Sequence, residues 1–305
     1  MTHPLAGPFP ALSTRSRPLP AEPEAALAPP DRADDVDPRF VFDFHALDDL
    51  EEDQRWSTWL SVEPLCRGPQ PRPDWVVTSQ AAIDTELGVL KTGKEADVFL
   101  LERGVPAGPS VVMAAKRYRD EDHRSFHRSA SYTEGRRGRN TRDNRAVQRK
   151  SSYGRAVAAG QWAAAEWDSL TRLWTQGLPV PYPVQVDGTE ILMEWIQIDG
   201  ETAPRLAQTR PDRALLASYF DQLREVIGTL AQLGLVHGDL SAYNLLAAGP
   251  RLVVIDLPQM VDLVANPAGM DFLMRDCQNV CTWFRSRGLD VDEHELFGDV
   301  VTHAF

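Results

Sequence analysis

The feature that most constrains the fold of this sequence is the loop HGDLSAYN at 237–244, which lies between two kinds of regular structure. Before it, apolar residues recur at three- and four-residue spacing over 211–233 and Gly234 follows, so this stretch predicts an amphipathic helix that ends there. After it, short apolar runs predict a small hairpin that ends at Asp256. A chain with this order holds several polar side chains at one loop between a helix and a hairpin.

Three side chains around this loop have the types and the spacing needed for phosphoryl transfer. In the pattern His-x-Asp followed five residues later by Asn, Asp239 can orient an attacking hydroxyl, and Asn244 offers an amide oxygen to a metal ion. Asp256 adds a carboxylate at a strand end, a hard oxygen ligand suited to Mg²⁺. Each residue alone is better explained by a structural role such as capping a turn, but the ordered set predicts a phosphotransferase site. We expect His237 to brace the loop by hydrogen bonds.

A lysine at the end of an upstream strand, Lys116 in VVMAAKR, is the predicted cation of the site. A lysine in this position can contact the α- and β-phosphates of a nucleotide. Its expected partner is Glu166, on a helix predicted over 156–176, whereas Asp168 lies two positions away and therefore on a different face. The alternatives are a solvated lysine at a strand end and a surface glutamate.

The segment KTGKEADVF, which begins at Lys91, lies between the first two predicted strands. It matches neither the Walker A motif nor the pattern GxGxxG. Its position nevertheless predicts that Thr92, Gly93, Lys94 and Glu95 present backbone N–H groups and one cation to phosphate. The alternative is a polar hairpin turn.

The order of elements, mainly strands and then mainly helices, predicts an α+β fold. The stretch 117–155 has 12 Arg and Lys against 5 Asp and Glu and few apolar residues, so we expect a mobile basic loop. The predicted regions are a disordered Pro/Ala-rich N-terminus (1–37), an acidic helical segment with a linker (38–74), an N-lobe containing the basic loop (75–194) and a C-lobe (195–305).

Composition restricts the classes of partner and compartment. A net charge of −12 disfavours a general nucleic-acid binder, although the basic loop could act as a local basic patch independently. Three cysteines without a CxxC pair favour a reducing compartment. There is no apolar run of about 18 residues and no secretory signal pattern. We therefore expect a cytoplasmic protein without a membrane partner.

Taken together, the motifs resemble those of the RIO-type atypical serine/threonine protein kinases. The resemblance covers roughly residues 75–290, and the Pro/Ala-rich N-terminus and the Arg-rich loop favour a bacterial member. Archaeal and eukaryotic members usually carry LSEYN in the loop, where this chain has Ala242, a difference expected to alter substrate contact and not the core roles. The matching motifs are TGKEADVF, AAKRY, VPYP, ILMEWI, HGDLSAYN, VVIDLPQMVD and FLMRDCQNV.

The resemblance implies a compact bilobal kinase fold, with an antiparallel sheet and a helix in the N-lobe and a mainly helical C-lobe that lacks an activation segment. It also implies ATP as the phosphate donor and Mg²⁺ or Mn²⁺ as the metal. By resemblance, Met193 would be the gatekeeper, and Glu194 and Ile196 would offer backbone groups to adenine. Asp239 would be the catalytic aspartate, Asn244 and Asp256 the metal ligands, and Lys116 the ATP-binding lysine.

Three functions stay open at this point, and the sequence does not identify a protein substrate. The first is a serine/threonine protein kinase that could also phosphorylate itself, with serines at positions 125, 129, 131, 151 and 152 as candidate acceptors. The second is an ATPase switch that contacts RNA or a ribosomal particle, because eukaryotic members act in maturation of the small ribosomal subunit. The third is a small-molecule kinase of the aminoglycoside type, which the short stretch after Asp256 disfavours.

Overall fold

The computed structural model describes residues 50–119, 152–258 and 260–304. They form an α+β structure of two lobes, and the N-lobe is a six-stranded antiparallel sheet with one long helix against it. The strand order is β1-β2-β3-β4-β6-β5, so the first strand forms one edge and β5 the other. The elements are β1 (Gln54–Trp56), β2 (Ile83–Thr92), β3 (Ala96–Gly104), β4 (Ser110–Tyr118), α1 (Ser152–Thr175), β5 (Pro183–Asp187) and β6 (Glu190–Glu194).

The central strand β4 directs its side chains alternately to the two faces of the sheet, as an extended strand must. Met113 and Ala115 pack on one face in a cluster with Leu101 and Leu192. Residues of the opposite parity face the other side, where Tyr118 joins the core formed with α1. Lys116 shares that parity, so it emerges on the face that carries α1.

The C-lobe is built around α2, whose apolar side packs against the helices that follow it. Asp212 caps α2 at its start by accepting a hydrogen bond from Leu215 N at 2.8 Å. The two-residue strands β9 and β12 pair with each other, so the stretch between them, 237–260, begins and ends at the same place in the C-lobe. The C-lobe elements are β7 (Gln197–Ile198), β8 (Glu201–Thr202), α2 (Arg213–Gln232), β9 (Leu235–Val236), β10 (Leu245–Ala248), β11 (Arg251–Val254), β12 (Val261–Asp262), α3 (Gly269–Ser286) and α4 (Glu293–Ala304).

One predicted region has a different structure. The segment 38–74 was expected to be an acidic helical segment with a linker, but in its described part Gln54–Trp56 is a strand of the sheet and Pro64–Cys66 is a single 3-10 turn. The reason is that Trp59 is buried against the sheet, and tertiary burial of this aromatic ring outweighs the local helical preference of the acidic residues around it. The helix α4 was not predicted.

Other predictions fall partly outside the described residues. The predicted disordered N-terminus (1–37) lies outside them, as does most of the basic loop 117–155. The ends of that stretch are regular structure, because Arg117 and Tyr118 belong to β4 and α1 begins at Ser152. Within the described part of the chain, no helix is both long and apolar enough to cross a membrane.

Candidate active site

The loop 237–244 is anchored by a buried carboxylate on α3. Asp276 Oδ2 accepts a hydrogen bond from Gly238 N at 2.8 Å, and its Oδ1 accepts one from Leu240 N at 2.9 Å. These two bonds flank Asp239, so they fix the backbone on both sides of the residue whose side chain is exposed. Burial raises the pKa of Asp276 to about 6, against the opposing effect of His237 and the two N–H groups.

The predicted bracing role of His237 has a matching geometry. Its ring is almost fully buried, with Nε2 3.2 Å from Ile255 O and Nδ1 3.4 Å from Asp239 N. The imidazole therefore connects the loop to the residue that precedes Asp256. Arg275 adds a hydrogen bond to Gly238 O from the other side.

Asn244 is buried and turned back on the loop. Its Nδ2 donates a hydrogen bond to Asp239 O at 2.9 Å, and its backbone carbonyl accepts one from Ile255 N at 3.0 Å. With the amide nitrogen engaged in this way, the amide oxygen is the side-chain atom that could face a metal ion. The structure thus brings Asn244 next to both Asp239 and the strand end that leads to Asp256.

Asp256 has an unusual backbone conformation, with φ at +67° in the left-handed region. Aspartate tolerates this region better than most residues, and such strain is concentrated at functional sites. Its half-exposed carboxylate lies 3.1 Å from Lys116 Nζ. The positive charge of Lys116 holds the pKa of Asp256 below its usual value, so the carboxylate is ionised at neutral pH.

The predicted partner of Lys116 is present: its Nζ lies 2.7 Å from Glu166 Oε1. The other oxygen of Glu166 accepts a hydrogen bond from the hydroxyl of Tyr118, so both carboxylate oxygens are engaged. Burial alone would lower the pKa of Lys116, but Glu166, Tyr118 and Asp256 together raise it well above its usual range. The lysine is therefore a fixed cation between the helix of one lobe and the strand end of the other. Asp168, the competing acid, is exposed.

The predicted phosphate loop is a tight turn between β2 and β3. Thr92 pairs with Asp97 at its base, and Gly93 N donates to Ala96 O at 3.0 Å. A Cβ at Gly93 would lie 2.6 Å from Ala96 O, so only glycine fits this close approach of backbone to backbone. Lys94 is exposed and Glu95 is half-buried. The turn is compatible with phosphate binding and also with a plain hairpin.

The predicted adenine-contacting residues lie at the end of β6 and just after it. Met193 pairs with Ala114 of β4, and Glu194 N donates to Tyr182 O at 2.8 Å. The carbonyl of Ile196 accepts a hydrogen bond from Ala203 N at 2.9 Å. This segment is therefore the connection between the sheet and the helical lobe, as a hinge must be.

Two residues with evident roles, and one lysine in a perturbed charge environment, were missed by sequence reasoning. Asp276 lies in register with Phe272 and Val280 on the buried stripe of α3, and a carboxylate within an apolar stripe is the signal that identifies it. Tyr118 follows Lys116 by two residues and must share its face of the strand. Lys91 was named within its motif without a role. Burial and the charges of Arg205 and Lys116 lower its pKa, and the charge of Asp256 opposes this shift.

The chain is similar to known protein kinases, in agreement with the chemistry that the site geometry allows. A family model described as RIO domain matches residues 111–296. The RIO-type serine/threonine-protein kinase Rio1 of Haloferax volcanii is 36% identical over 215 residues, which cover 70% of this chain and 68% of the relative. Rio1 of Methanocaldococcus jannaschii is 30% identical over 212 residues, covering 69% of this chain and 67% of the relative.

More distant matches share a smaller part of their length. The serine/threonine-protein kinase RIO3 of Mus musculus is 33% identical over 142 residues, covering 46% of this chain and 27% of the relative. Among solved structures, the Rio2 kinase–ADP/Mg²⁺–phosphoaspartate complex from Chaetomium thermophilum matches with a TM-score of 0.49 and 23% identity. That match covers 72% of this chain and 62% of the other.

Proposed function

Because the chain belongs to the RIO domain family of serine/threonine protein kinases, we propose that it transfers the γ-phosphate of ATP to a serine or threonine hydroxyl at the site around Asp239. The observation that carries this proposal is the convergence of three elements on one place. Lys116 lies between Glu166 of the N-lobe and Asp256 of the C-lobe, and the loop of Asp239 is fastened to the same strand end. Nucleotide and acceptor would meet there.

The nucleotide would be held mainly by the N-lobe. The ammonium of Lys116 would contact the α- and β-phosphates, and Glu166 keeps it pointed into the cleft. The turn from Thr92 to Glu95 would cover the phosphates with backbone N–H groups. Adenine would hydrogen-bond to the backbone of Glu194 and Ile196, beside the side chain of Met193.

The metal would be held by Asn244 and Asp256. An amide oxygen and a carboxylate are hard ligands, and Mg²⁺ is ordinarily bound by one or two carboxylates together with substrate phosphates and water. Among residues 50–119, 152–258 and 260–304, no group of three or more His, Cys, Asp and Glu side chains is arranged for a metal ion. When bound, Mg²⁺ supplies charge neutralisation of the phosphates. Use of Mn²⁺ instead stays a prediction.

The acceptor hydroxyl would be oriented by Asp239. Its exposed carboxylate would accept the hydrogen bond of the hydroxyl, whose oxygen attacks the γ-phosphorus while the bond to the β–γ bridging oxygen breaks and ADP leaves. The proton of the hydroxyl would pass to Asp239. Asp276, His237 and Asn244 would keep the aspartate in place by fixing its backbone, and they would not contact the reacting atoms.

The partners and the acceptor remain predictions. Most of the basic loop 117–155 lies outside the described residues, and so do the serines at 125, 129, 131 and 151. RNA contact and autophosphorylation therefore rest on the sequence alone. A cytoplasmic location is likewise a prediction. A small-molecule kinase is the weaker alternative, because the curated relatives reported above are protein kinases.

The direct test is transfer of label from γ-labelled ATP by the full chain, with Mg²⁺ present or chelated, followed by identification of phosphosites by mass spectrometry. We expect Mg²⁺-dependent label on serine or threonine, no label with Asp239→Ala, and wild-type labelling with Asp271→Ala, which removes an exposed aspartate of α3. Label that persists in Asp239→Ala would sink the assignment of the catalytic residue. Label only on a small molecule would favour the alternative.

A further inference from the structure

A segment that no kinase motif covers, residues 54–75, crosses the N-lobe sheet from edge to edge; we call it the N-terminal strap. It begins as β1, which pairs with β2 at one edge of the sheet. It ends at the other edge, where Arg67 pairs with Gln185 of β5 and Gly68 N donates to Val184 O at 2.8 Å. The strap therefore covers both sheet edges that β2 and β5 would otherwise leave unpaired.

Between the two edges, the strap packs on the sheet face opposite to Lys116. Trp59 is 3% exposed and belongs to the same cluster as Met113 and Ala115. The guanidinium groups of Arg67 and Arg72 lie 5.5 and 4.9 Å from the centre of the Trp59 ring. The strap is thus part of the N-lobe core and not a loose extension.

A buried polar chain fastens the strap from the inside. Arg103, which has no exposed surface, donates to Asp84 at 2.6 and 2.8 Å and to Gln185 Oε1 at 2.8 Å. Gln185 Nε2 in turn donates to Thr58 Oγ1 of the strap at 2.7 Å. Because buried polar groups must keep their partners, this chain fixes the strap relative to β2, β3 and β5.

The strap then reaches the helix that carries Glu166. Its 3-10 turn, Pro64–Cys66, presents the carbonyl of Leu65, which accepts a hydrogen bond from Trp167 Nε1 at 3.2 Å. Cys66 packs beside the core that contains Trp167. Trp167 is the residue next to Glu166, so this contact lies at the point of α1 where rotation or sliding of the helix would withdraw Glu166 from Lys116.

We propose that the strap, acting through Trp167, is a positioning element that keeps α1 in the place where Glu166 holds Lys116 for the nucleotide. This inference rests on the function proposed above and names a residue outside every kinase motif. If α1 shifts, Lys116 keeps Asp256 as its remaining ion-pair partner at 3.1 Å. The lysine would then neutralise the carboxylate assigned to the metal. Loss of the strap contact would therefore weaken nucleotide binding in two ways, through the misplaced lysine and through the weakened metal site.

Two variants break the contact from opposite sides. Trp167→Phe removes the N–H donor and keeps an apolar ring. Gly68→Ala acts from the strap side, because a Cβ there would lie 2.0 Å from Pro183 O and 2.6 Å from the hydroxyl oxygen of Tyr182 and would push the strap away from β5. Trp283→Phe, on the C-lobe helix α3, is the control for the same replacement at a tryptophan away from the strap; Trp283 is half-buried, whereas Trp167 is buried. Loss of one hydrogen bond should weaken ATP affinity by about three- to tenfold.

The decisive measurement is a double-mutant cycle with Glu166→Gln, read as the Kd for Mg-ATP in the full chain. If Trp167 acts through Glu166, Trp167→Phe weakens ATP binding in the wild type and adds almost nothing in the Glu166→Gln background. Equal losses in both backgrounds, or wild-type affinity in Trp167→Phe, would overturn the proposal. Gly68→Ala should give the same non-additivity; if it fails to fold, the Trp167 cycle still decides.

Hydrogen exchange separates failure of this inference from failure of the proposed function. In Trp167→Phe the backbone amides around Glu166 should exchange faster than in the wild type and in Trp283→Phe, whether or not the chain transfers phosphate. A wild type that does not bind ATP would refute the proposed function and leave the exchange result standing. Unchanged exchange around Glu166 would refute the positioning role of the strap even in an active kinase.

Discussion

The two halves of the candidate site are fixed in different ways. On the C-lobe side, the backbone around Asp239 is held by buried groups of the same lobe, above all Asp276. On the N-lobe side, the ammonium of Lys116 is held by side chains, Glu166 on α1 and Asp256 across the cleft. The first arrangement is rigid because its bonds lie inside one packed unit. The second depends on the relative placement of three elements, and can therefore change when one of them moves.

This difference predicts which substitutions affect the chemical step and which affect nucleotide binding. The loop side should respond with losses in kcat and in stability, and the lysine side with losses in ATP affinity.

Asp256→Asn should cause the largest loss, because it removes the carboxylate assigned to the metal. We expect transfer to fall by about a hundred- to thousandfold, the range for losing one strong electrostatic contact in a transition state. Steady-state labelling over a range of Mg²⁺ concentrations measures the effect, with Asp271→Asn as the control. Unchanged transfer at low Mg²⁺ would contradict the assignment.

The pH dependence of stability tests the loop side. The pKa of Asp276 is raised by burial from 3.8 to about 6 in the folded chain, so its contribution to stability is fully present below pH 3.8 and is lost as the pH rises through about 6. Relative to Asp276→Asn, the wild type should lose about 3 kcal/mol of unfolding free energy over this window. Urea unfolding at pH 4 and pH 7 measures it. A difference between the two proteins that does not change with pH would show that burial does not shift this group.

Glu166→Gln should mainly affect nucleotide binding, because Lys116 then loses its charged partner on α1. We expect the Kd for ATP to rise by about tenfold, the effect of losing a charge-assisted hydrogen bond. Asp168→Asn, on the same helix but exposed, is the matched control and should bind ATP like the wild type. Equal effects of the two substitutions would mean that the charge of α1, and not the specific pair, matters.

Gly93→Ala should have the smallest effect, confined to the turn between β2 and β3. The added Cβ must move away from Ala96 O, so the turn widens and ATP affinity should fall by about two- to fivefold, or less than about 1 kcal/mol. Gly160→Ala, at an open position of α1, is the control and should leave affinity unchanged. Wild-type affinity in Gly93→Ala would favour a plain hairpin over a phosphate loop.

The sequence predicts local features of this molecule much better than long-range ones. The pairing of Lys116 with Glu166 could be predicted, because each residue stands at a recognisable point of a strand or a helix. The helix α2 was placed to within two residues at its start and one at its end, since its apolar period is regular and Gly234 ends it.

Long-range contacts account for what was missed. The first residues of the strap were expected to belong to an acidic helical segment, because the burial of Trp59 depends on residues more than forty positions away and has no local signature. The hydrogen bond from Trp167 to Leu65 has no local signature at all. Asp276 could have been found from its place on an apolar stripe, but its partners, Gly238 and Leu240, are visible only once α3 packs beneath the loop.

The most direct test of the division between the two halves is Asp239→Asn, measured for both ATP binding and phosphate transfer. Asparagine keeps the size of the side chain and the backbone bonds to Asp276, but it cannot accept a proton from the hydroxyl. We predict a Kd for Mg-ATP within about twofold of the wild type and a loss of transfer of at least about a hundredfold. Transfer at the wild-type rate, or a loss of ATP affinity that accounts for the whole defect, would contradict the assignment of chemistry to the loop and of nucleotide binding to Lys116.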